Sequence, residues 1–369
     1  MTKTTGTPPR AHSRIWAFMP AHNEAATIAD SIRALQTQSR PPERIVVVLD
    51  NCTDDTAVVA AAAGADLHFT NGNTHKKAGA LNQALSVYLP GLPAEALVLV
   101  QDADSVLDAM FVEAGQAHLA ADPRLGAVSG TFRATALPSG TRAWERVLWH
   151  LQDNEYARYA KDVRNLGGKC LVVTGTAAMF RVETLRAVSA ARLSGTVPAG
   201  DGRGGVYDTT VLTEDNELSF AIMTLGHTLL APPEMLLTTE HMTSWRALWS
   251  QRLRWKRGAV ENCVQYGLTQ VTRRYWGRQA LTVVGVVMTA VYLMSIGWVL
   301  LRGGGIQVHP FWLGVTMLFC LERYVTVSDK GRAHQLAAML MYEMPYELFL
   351  QACHGRAYLD SLTRARRVW

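Results

Sequence analysis

Two short runs near the start of the chain, Ile45 to Leu49 and Leu97 to Val100, contain no polar residue at all. A strand with one face in water alternates apolar and polar side chains; a strand apolar at every position must be covered on both faces. Such strands need helices above and below them, and the sequence supplies these. Ile15 to Met19 reads as a strand, and a helical pattern through Ile28, Ile32 and Leu35 follows, stopping before Pro41 and Pro42. Arg44 to Leu49 is a second strand, Thr56 to Ala63 a helix, Asp66 to Thr70 a third strand and Leu97 to Val100 a fourth. The alternation predicts an α/β fold with a doubly wound, Rossmann-like sheet, in which ligands gather at the carboxyl ends of the strands. Acids stand at two of those ends: Asp50 after the second strand, Asp102 and Asp104 after the fourth.

Further along, the Gly/Asp-rich stretch from Gly195 to Tyr207 reads as a loop, and no repeat or low-complexity linker divides the chain. Ala280 to Leu301 is uncharged, with Arg273, Arg274 and Arg278 before it and Arg302 after it. Its length meets the roughly 20 residues needed to cross hydrocarbon. Pro310 to Val327 can return across the bilayer. Leu336 to Gly355 carries Glu343, Pro345 and Glu347, so a re-entrant or interfacial helix is as good a reading as a third span. Hydrophobic residues make up 49% of the chain and charged residues 18%, a surplus of apolar groups that suits partial contact with lipid. The net charge of +5 suits an anionic membrane surface or a phosphorylated ligand. Nucleic acid is not expected, because no basic stripe accompanies a groove-reading motif. The five cysteines are scattered without zinc-site spacing, which points to a reducing, cytosolic setting. These features divide the chain into a loose tail (1–13), a catalytic domain (14–243), amphipathic interface helices (244–278) and transmembrane and interfacial helices (279–369).

Asp102 and Asp104, two residues apart at a strand end, can both reach one divalent cation, or one metal and a ribose. A lone pair of this kind is weak evidence. Its companions carry the weight: Pro20-Ala21-His22-Asn23-Glu24 after the first strand, Asp50 to Thr56 after the second, Thr213-Glu214-Asp215 later, and Gln251 to Trp255 just before the apolar segment. Taken in order over about residues 14 to 260, this set resembles glycosyltransferase family 2, especially its membrane-bound cellulose, hyaluronan and poly-N-acetylglucosamine synthase-like branch.

The resemblance implies a GT-A type mixed sheet followed by a C-terminal helical membrane region. It also implies an inverting transfer from a nucleotide diphosphate sugar, a UDP-sugar before a GDP-sugar, with Mn2+ or Mg2+ as cofactor. Asp50 would meet the base of the nucleotide, with Pro20, Ala21, Asn23 and Glu24 around it; capping of a helix beginning near Thr53 is the plainer reading of Asp50. Lys77 to Asn82 resembles a family segment whose lysine sits by the nucleotide, while its glycine, here Gly79, permits close backbone approach. Asp104 is the expected metal ligand, and Asp102 turns to metal or ribose. Arg254, with Gln251, would hold the leaving diphosphate, since a guanidinium offers fixed donors to phosphate oxygens. Gly175 and Thr176 would line the acceptor pocket and Trp255 would face the acceptor, unless Trp255 is an interfacial anchor beside Trp245 and Trp249. Asp215 is the expected general base, Glu214 the second choice, and an acidic cap before a helix from Asn216 to Leu225 the alternative. His241 stands where some relatives place a histidine near the metal, though a plain core or surface role suits it as well.

The acceptor is a glycan, a lipid or a glycosylated protein. Residues 325–331 faintly resemble the gating loop of cellulose synthases, but Val325 replaces its aromatic residue and Ser328 its threonine. A processive synthase acting as an oligomer is therefore the alternative function, and Gly285, Ala290 and Gly297 allow the close helix approach a homo-oligomer needs. A nucleotidyltransferase would carry a glycine-rich basic loop where Pro20 to Glu24 stands, and a dehydrogenase a Gly-x-Gly-x-x-Gly. Neither is present. A non-catalytic scaffold would have no reason to keep the full set of acids, Lys77, Arg254 and Trp255.

Overall fold

The computed structural model describes residues 13–137, 139–303, 310–328, 331–339 and 343–366. Most of the expected N-terminal tail, Asp329 and Lys330 of the gating-loop resemblance, and the C-terminal Arg367 lie outside them.

The first half builds the expected alternation: β1 (Ile15–Ala21), α1 (Ile28–Gln36), β2 (Arg44–Leu49), α2 (Thr56–Ala62), β3 (Asp66–Phe69), α3 (Lys76–Tyr88) and β4 (Leu97–Gln101). It continues through β5 (Val106–Leu107), α4 (Phe111–Ala121), β6 (Leu125–Ser129), β7 (Thr131–Ala134), α5 (Ala143–Asn165), β8 (Ala177–Arg181), α6 (Val182–Ser194), α7 (Glu214–Thr224), β9 (Thr228–Leu230) and β10 (Leu236–Thr239). Seven strands form one sheet in the order β3-β2-β1-β4-β8-β6-β9. β1 to β4 run parallel, β8 runs antiparallel between β4 and β6, and β9 pairs parallel with β6, so the sheet is mixed.

The uninterrupted apolar strands explain the layering. Along β1, β2 and β4 successive side chains enter opposite faces. Phe18, Val46, Val48, Val98 and Val100 pack with Leu81 and Leu85 of α3, Leu185 of α6 and Leu218 of α7. Ile15, Met19, Val47, Leu49, Leu97 and Leu99 pack instead with Ile28, Ile32 and Leu35 of α1 and with Phe111 and Leu119 of α4. A second, three-stranded sheet, β5-β10-β7, lies beyond β4. β5 pairs antiparallel with β10, which tethers the segment that follows Asp104.

α7, the helix carrying Glu214 and Asp215, is fixed by a buried ion pair. Arg192 of α6 meets both oxygens of Glu217, at 2.9 Å for Nη1, and also donates to the carbonyls of Pro198 and Val206. Tyr266 donates to the same carboxylate at 2.6 Å. The loop before α7 is thereby wrapped around an arginine with 1% of its side chain exposed.

The C-terminal part consists of α8 (Trp245–Tyr266), α9 (Arg273–Leu301), α10 (Pro310–Thr326), α11 (Arg332–Met339) and α12 (Met344–Leu362). The apolar stretch Leu336 to Gly355 is therefore not one helix: it is divided between α11 and α12, with Pro345 in the first turn of α12, where a missing N–H costs nothing. α12 buries Tyr346 and Leu350 against Leu148 and Leu151 of α5 and Leu248 of α8. α9 is different. Of its residues only Gln279 is buried, and among the described residues it is the one helix long and apolar enough to cross a membrane.

Replacing Arg192 by methionine leaves the Glu217 carboxylate buried and without its cation. Breaking such a pair costs about 3–5 kcal/mol, so Arg192→Met should lower the urea midpoint markedly; an unchanged midpoint would show that the pair does not secure α7.

Candidate active site

The segments at the carboxyl ends of β1, β2, β3 and β4 enclose a cleft of about 540 Å3 lined by Pro20, Ala21, His22, Glu24, Asp50, Asn51, Lys76, Lys77, Asp102 and Asp104, among others. The first two loops are sewn together. Asn23, at φ 59°, accepts from the Thr53 N–H at 2.8 Å, the Glu24 N–H donates to Thr56 Oγ1 at 2.8 Å, and the His22 ring lies 2.6 Å from the Asp50 carbonyl. Asn23 thus shapes the loop and does not line the cleft.

Asp50 is buried, and its Oδ1 accepts from Asn51 at 3.1 Å, Thr70 at 2.9 Å and Asn73 at 2.8 Å. Oδ2 accepts no hydrogen bond among the described residues, so the carboxylate is held by one oxygen and offers the other. It does not cap α2, which begins only at Thr56 after Asp55. Asn73 was not expected from the sequence; the run Asn71-Gly72-Asn73 between β3 and α3 is the signal that marks it. The glycine expected to admit a close backbone contact serves this asparagine: a Cβ at Gly79 would lie 2.1 Å from Asn73 Oδ1.

Asp102 and Asp104 sit in the turn between β4 and β5. The Asp102 N–H donates to the Thr176 carbonyl at 2.9 Å, Gln101 Nε2 reaches the Ser105 carbonyl at 2.6 Å, and Ser105 donates to Asp104 Oδ1 at 3.1 Å. Lys77 joins this turn to the opposite wall: its ammonium pairs with Asp102 Oδ1 and donates to the Gly175 carbonyl at 2.8 Å. Burial alone would lower the Lys77 pKa, but Asp102, Glu214 and Asp215 together hold it above the usual lysine range. Burial pushes Asp102 up to about 6, against the pull of Lys77 and with a further push from Asp104.

Glu214 and Asp215 open α7 on that opposite wall, where with Lys77 and Gly175 they line a water-sized pocket. Asp215 Oδ2 accepts from the Gly175 N–H at 2.9 Å and Oδ1 from the Asn216 N–H at 2.8 Å. Burial, then the charge of Glu214, raises the Asp215 pKa to about 6; Lys77 and the two N–H groups oppose the rise. Thr176 is held by its Oγ1 on Thr174 at 3.1 Å.

The segment from Gln251 to Trp255 lies on α8 and lines neither pocket. Gln251 accepts from Arg252, whose guanidinium stands 4.5 Å from the Trp255 ring centroid and pairs with Glu155 at 2.8 Å. Arg254 and Trp255 are exposed. Arg254 nonetheless acts on the cleft: after burial, its charge is the second cause that lowers the pKa of Lys76. Lys76, which sequence reasoning passed over in favour of Lys77, lines the cleft at φ 50°. On the acidic side, burial raises Glu24 and Glu240, and the charge of Asp104 raises both further. Burial lowers the His241 pKa, which keeps the ring neutral at neutral pH. Among the described residues no group of three or more His, Cys, Asp or Glu is spaced to hold a metal ion unaided.

The structure thus brings acids at the strand ends of a doubly wound mixed sheet and the Asp215 carboxylate around one lysine. Residues 97–341 match the family model described as glycosyl transferase family group 2, and the chain belongs to that family. It is 24% identical over 250 residues to the poly-beta-1,6-N-acetyl-D-glucosamine synthase of Staphylococcus epidermidis, a match covering 66% of this chain and 54% of that protein. The chain thus spans about half the length of that relative. It is 23% identical to the probable glycosyltransferase YdaM of Bacillus subtilis, over 89% of this chain and 78% of that one. Among solved structures, the mannosyltransferase PcManGT of Pyrobaculum calidifontis, in complex with GDP-Man and Mn2+, is similar in fold, with TM-score 0.63 and 18% identity over 97% of this chain and 89% of its own.

If Gly79 is glycine to make room for Asn73, then Gly79→Ala should cost about 1–3 kcal/mol through overpacking. Adding Asn73→Ala should recover part of that cost. Urea unfolding of both single variants and the double variant measures the coupling, and fully additive losses would show that the two side chains do not compete for the same space.

Proposed function

We propose that this chain is a membrane-attached, metal-dependent, inverting glycosyltransferase that takes its sugar from a nucleotide diphosphate donor, a UDP-sugar in preference to a GDP-sugar. The observation that carries the reading is the placement of Lys77, which links Asp102 on one wall of the cleft to Gly175 on the other, beside Asp215. One wall then serves the donor and the other the acceptor. Residues 14–243 act as the catalytic domain, 244–278 as its interface with the membrane, and 279–369 as transmembrane and interfacial helices, with the catalytic domain on the cytosolic face as the basic residues before Ala280 favour.

Asp50 receives the base of the donor through Oδ2, and Pro20, Ala21 and Glu24 surround the ribose. Asp104 is the cation ligand, with Asp102 turned to cation or ribose and partly occupied by Lys77. Such an ion suits the donor set: hard carboxylate oxygens supply one or two positions and diphosphate oxygens and water the rest, which is how Mg2+ and Mn2+ are commonly held at phosphate sites. The repulsion that Asp104 exerts on Glu24 and Glu240 fits the same reading, because a divalent charge there relieves it. When bound, the ion offsets the negative charge that develops on the departing diphosphate. Lys76 and Arg254, close enough to repel each other, add positive charge at the same end, with Gln251 supporting from α8. Gly175, Thr176 and Trp255 border the acceptor, and Asp215 takes the proton from its hydroxyl as the new bond to the anomeric carbon forms on the face opposite the diphosphate. Glu214 is the alternative base.

Asp104→Asn should abolish metal-stimulated release of nucleotide diphosphate from a panel of nucleotide sugars while leaving the unfolding midpoint unchanged. Full turnover in that variant, or in wild type with excess chelator, would remove the metal from the mechanism.

A general base contributes roughly 10²–10⁴ in rate, so Asp215→Asn should reduce transfer at least about a hundredfold with little change in nucleotide binding. Because burial raises the Asp215 pKa, the base is ionised above about 6 and protonated below it. The wild-type rate should therefore fall as pH drops through about 6, well above the ordinary aspartate range. A rate held constant down to pH 4.5, or near wild-type transfer in Asp215→Asn alongside inactive Glu214→Gln, would move the role away from Asp215.

A further inference from the structure

Asp215 accepts two backbone N–H groups, from Gly175 and from Asn216, so its aim depends on how the first turn of α7 is set. That turn receives no side-chain bond from its own N-cap, Thr213. It is gripped instead by α8 and α9. Asn262 of α8, fully buried, donates through Nδ2 to the Thr213 carbonyl at 3.0 Å, to Thr213 Oγ1 at 3.1 Å and to Asn216 Oδ1 at 3.0 Å. One side chain thus holds the residues on either side of the Glu214-Asp215 pair. Gly258, one turn earlier on the same face of α8, lets the helix come this close: a Cβ there would stand 2.4 Å from Thr213 Oγ1.

A chain of fixed polarity continues from Asn262. The Thr213 carbonyl can only accept, so the Asn262 amide must present Nδ2 to it. The same Nδ2 needs an acceptor on Asn216, which turns Oδ1 of Asn216 towards α8 and its Nδ2 away. That Nδ2 donates at 2.7 Å to the hydroxyl oxygen of Tyr275, in the first turn of α9. Asn216 is buried, so losing either partner would leave a polar group unpaired. Tyr275 is itself well placed: its ring stands edge-on to Phe220 of α7, with centroids 4.9 Å apart. The turn from α8 into α9 is braced by Thr272 Oγ1 and Trp276 Nε1, which donate to the Gly267 carbonyl at 2.6 and 3.1 Å.

We propose that Asn262 and Tyr275 are positioning residues for the transfer step: through Asn216 they fix the rotation of the first turn of α7, and with it the line along which Asp215 meets the acceptor hydroxyl. This rests on the reading of Asp215 as the base of a glycosyl transfer. The two residues act through Asn216 and not on the carboxylate directly. Both lie in residues 244–278, the segment read as the interface with the membrane, so the aim of the base is set from outside the catalytic domain. The clamp also has an electrostatic consequence. The Asn216 and Gly175 N–H groups and the Lys77 ammonium of α3 favour the ionised carboxylate, against burial and the charge of Glu214. Loosening Asn216 weakens one of those donors, which raises the Asp215 pKa further.

Tyr275→Phe keeps the ring against Phe220 and removes only the acceptor of Asn216 Nδ2. In the full chain, kcat for transfer should fall about tenfold, less than the roughly hundredfold that a 1 Å misplacement can cost. The donor KM should stay unchanged, and the acid limb of kcat should move to higher pH. Tyr275→Phe combined with Asn216→Ala leaves no unpaired amide on α7 and leaves Asn262 its two acceptors on Thr213, so folding is spared; it should show the same two changes. Tyr266→Phe is the contrast: it removes a hydroxyl that bonds Glu217 of the same helix, and should lower the urea midpoint without moving the limb. Wild-type kcat and limb in the double variant, or an equal displacement of the limb in Tyr266→Phe, would overturn the positioning role while leaving Asp215 as the base. An acid limb that survives unchanged in Asp215→Asn would overturn the reading of Asp215 itself, and the proposal with it.

Discussion

The site is organised around a single ammonium group. Lys77 stands among Asp102, Glu214 and Asp215, and it donates to the carbonyl of Gly175, so the acids on both sides of it share its charge. Carboxylates brought this close together out of water repel one another and drift towards the protonated state. A shared cation limits that drift, and the result is two acids raised to about 6, still largely ionised at neutral pH. The glycine at 175 follows from the same crowding: a Cβ there would come within 3.2 Å of Asp215 Oδ2 and 3.3 Å of Lys77 Nζ. Geometry and charge at this point are one problem, solved by one lysine and one residue without a side chain.

The second constraint is the joint between the α/β unit and the C-terminal helices. α5 carries it. Its Glu155 receives Arg252 of α8 at 2.8 Å and the Tyr346 hydroxyl of α12 at 2.5 Å. Its Asn154 and Arg158 donate to Glu343, just before α12, and Arg323 of α10 donates to the same carboxylate, which is 2% exposed. A buried carboxylate with one cation removed would be costly, so the helices are held in a fixed relation to the sheet. That fixed relation lets Tyr275, which belongs to α9, meet Asn216, the neighbour of Asp215 on α7.

Several parts of this arrangement were legible in the chain itself. The apolar runs at Ile45 to Leu49 and Leu97 to Val100 dictate strands covered on both faces, and β1 to β4 with α1 and α2 follow from periodicity, whereas α3 (Lys76–Tyr88) was not read from the sequence. Asp50, Asp102 and Asp104 fall at strand ends because each ends an apolar run, and Lys77, Gly175, Glu214 and Asp215 were found by their motifs. The second sheet was not legible. Its strands, β5, β7 and β10, are two to four residues long and exist only because they pair with one another, and nothing local distinguishes them from loop. The break between α11 and α12 was missed for a related reason: an apolar stretch announces burial of some kind, but not whether lipid or another helix covers it.

Sequence by itself determined the layered α/β architecture, the family and the acids at the strand ends, because burial of apolar periodic segments and the chemistry of a motif are local properties. Only the tertiary structure decided which groups share a charge environment. Asn73 and Thr70 hold Asp50, Lys76 feels the charge of Arg254, Glu240 that of Asp104, and α9 delivers Tyr275 to Asn216. Each of these pairs is distant in sequence or joins residues that no pattern singles out. Electrostatic and hydrogen-bonding partners depend on separations of a few ångströms across elements, and such separations arise only when the sheet has twisted, the helices have packed and the loops have closed over the strand ends.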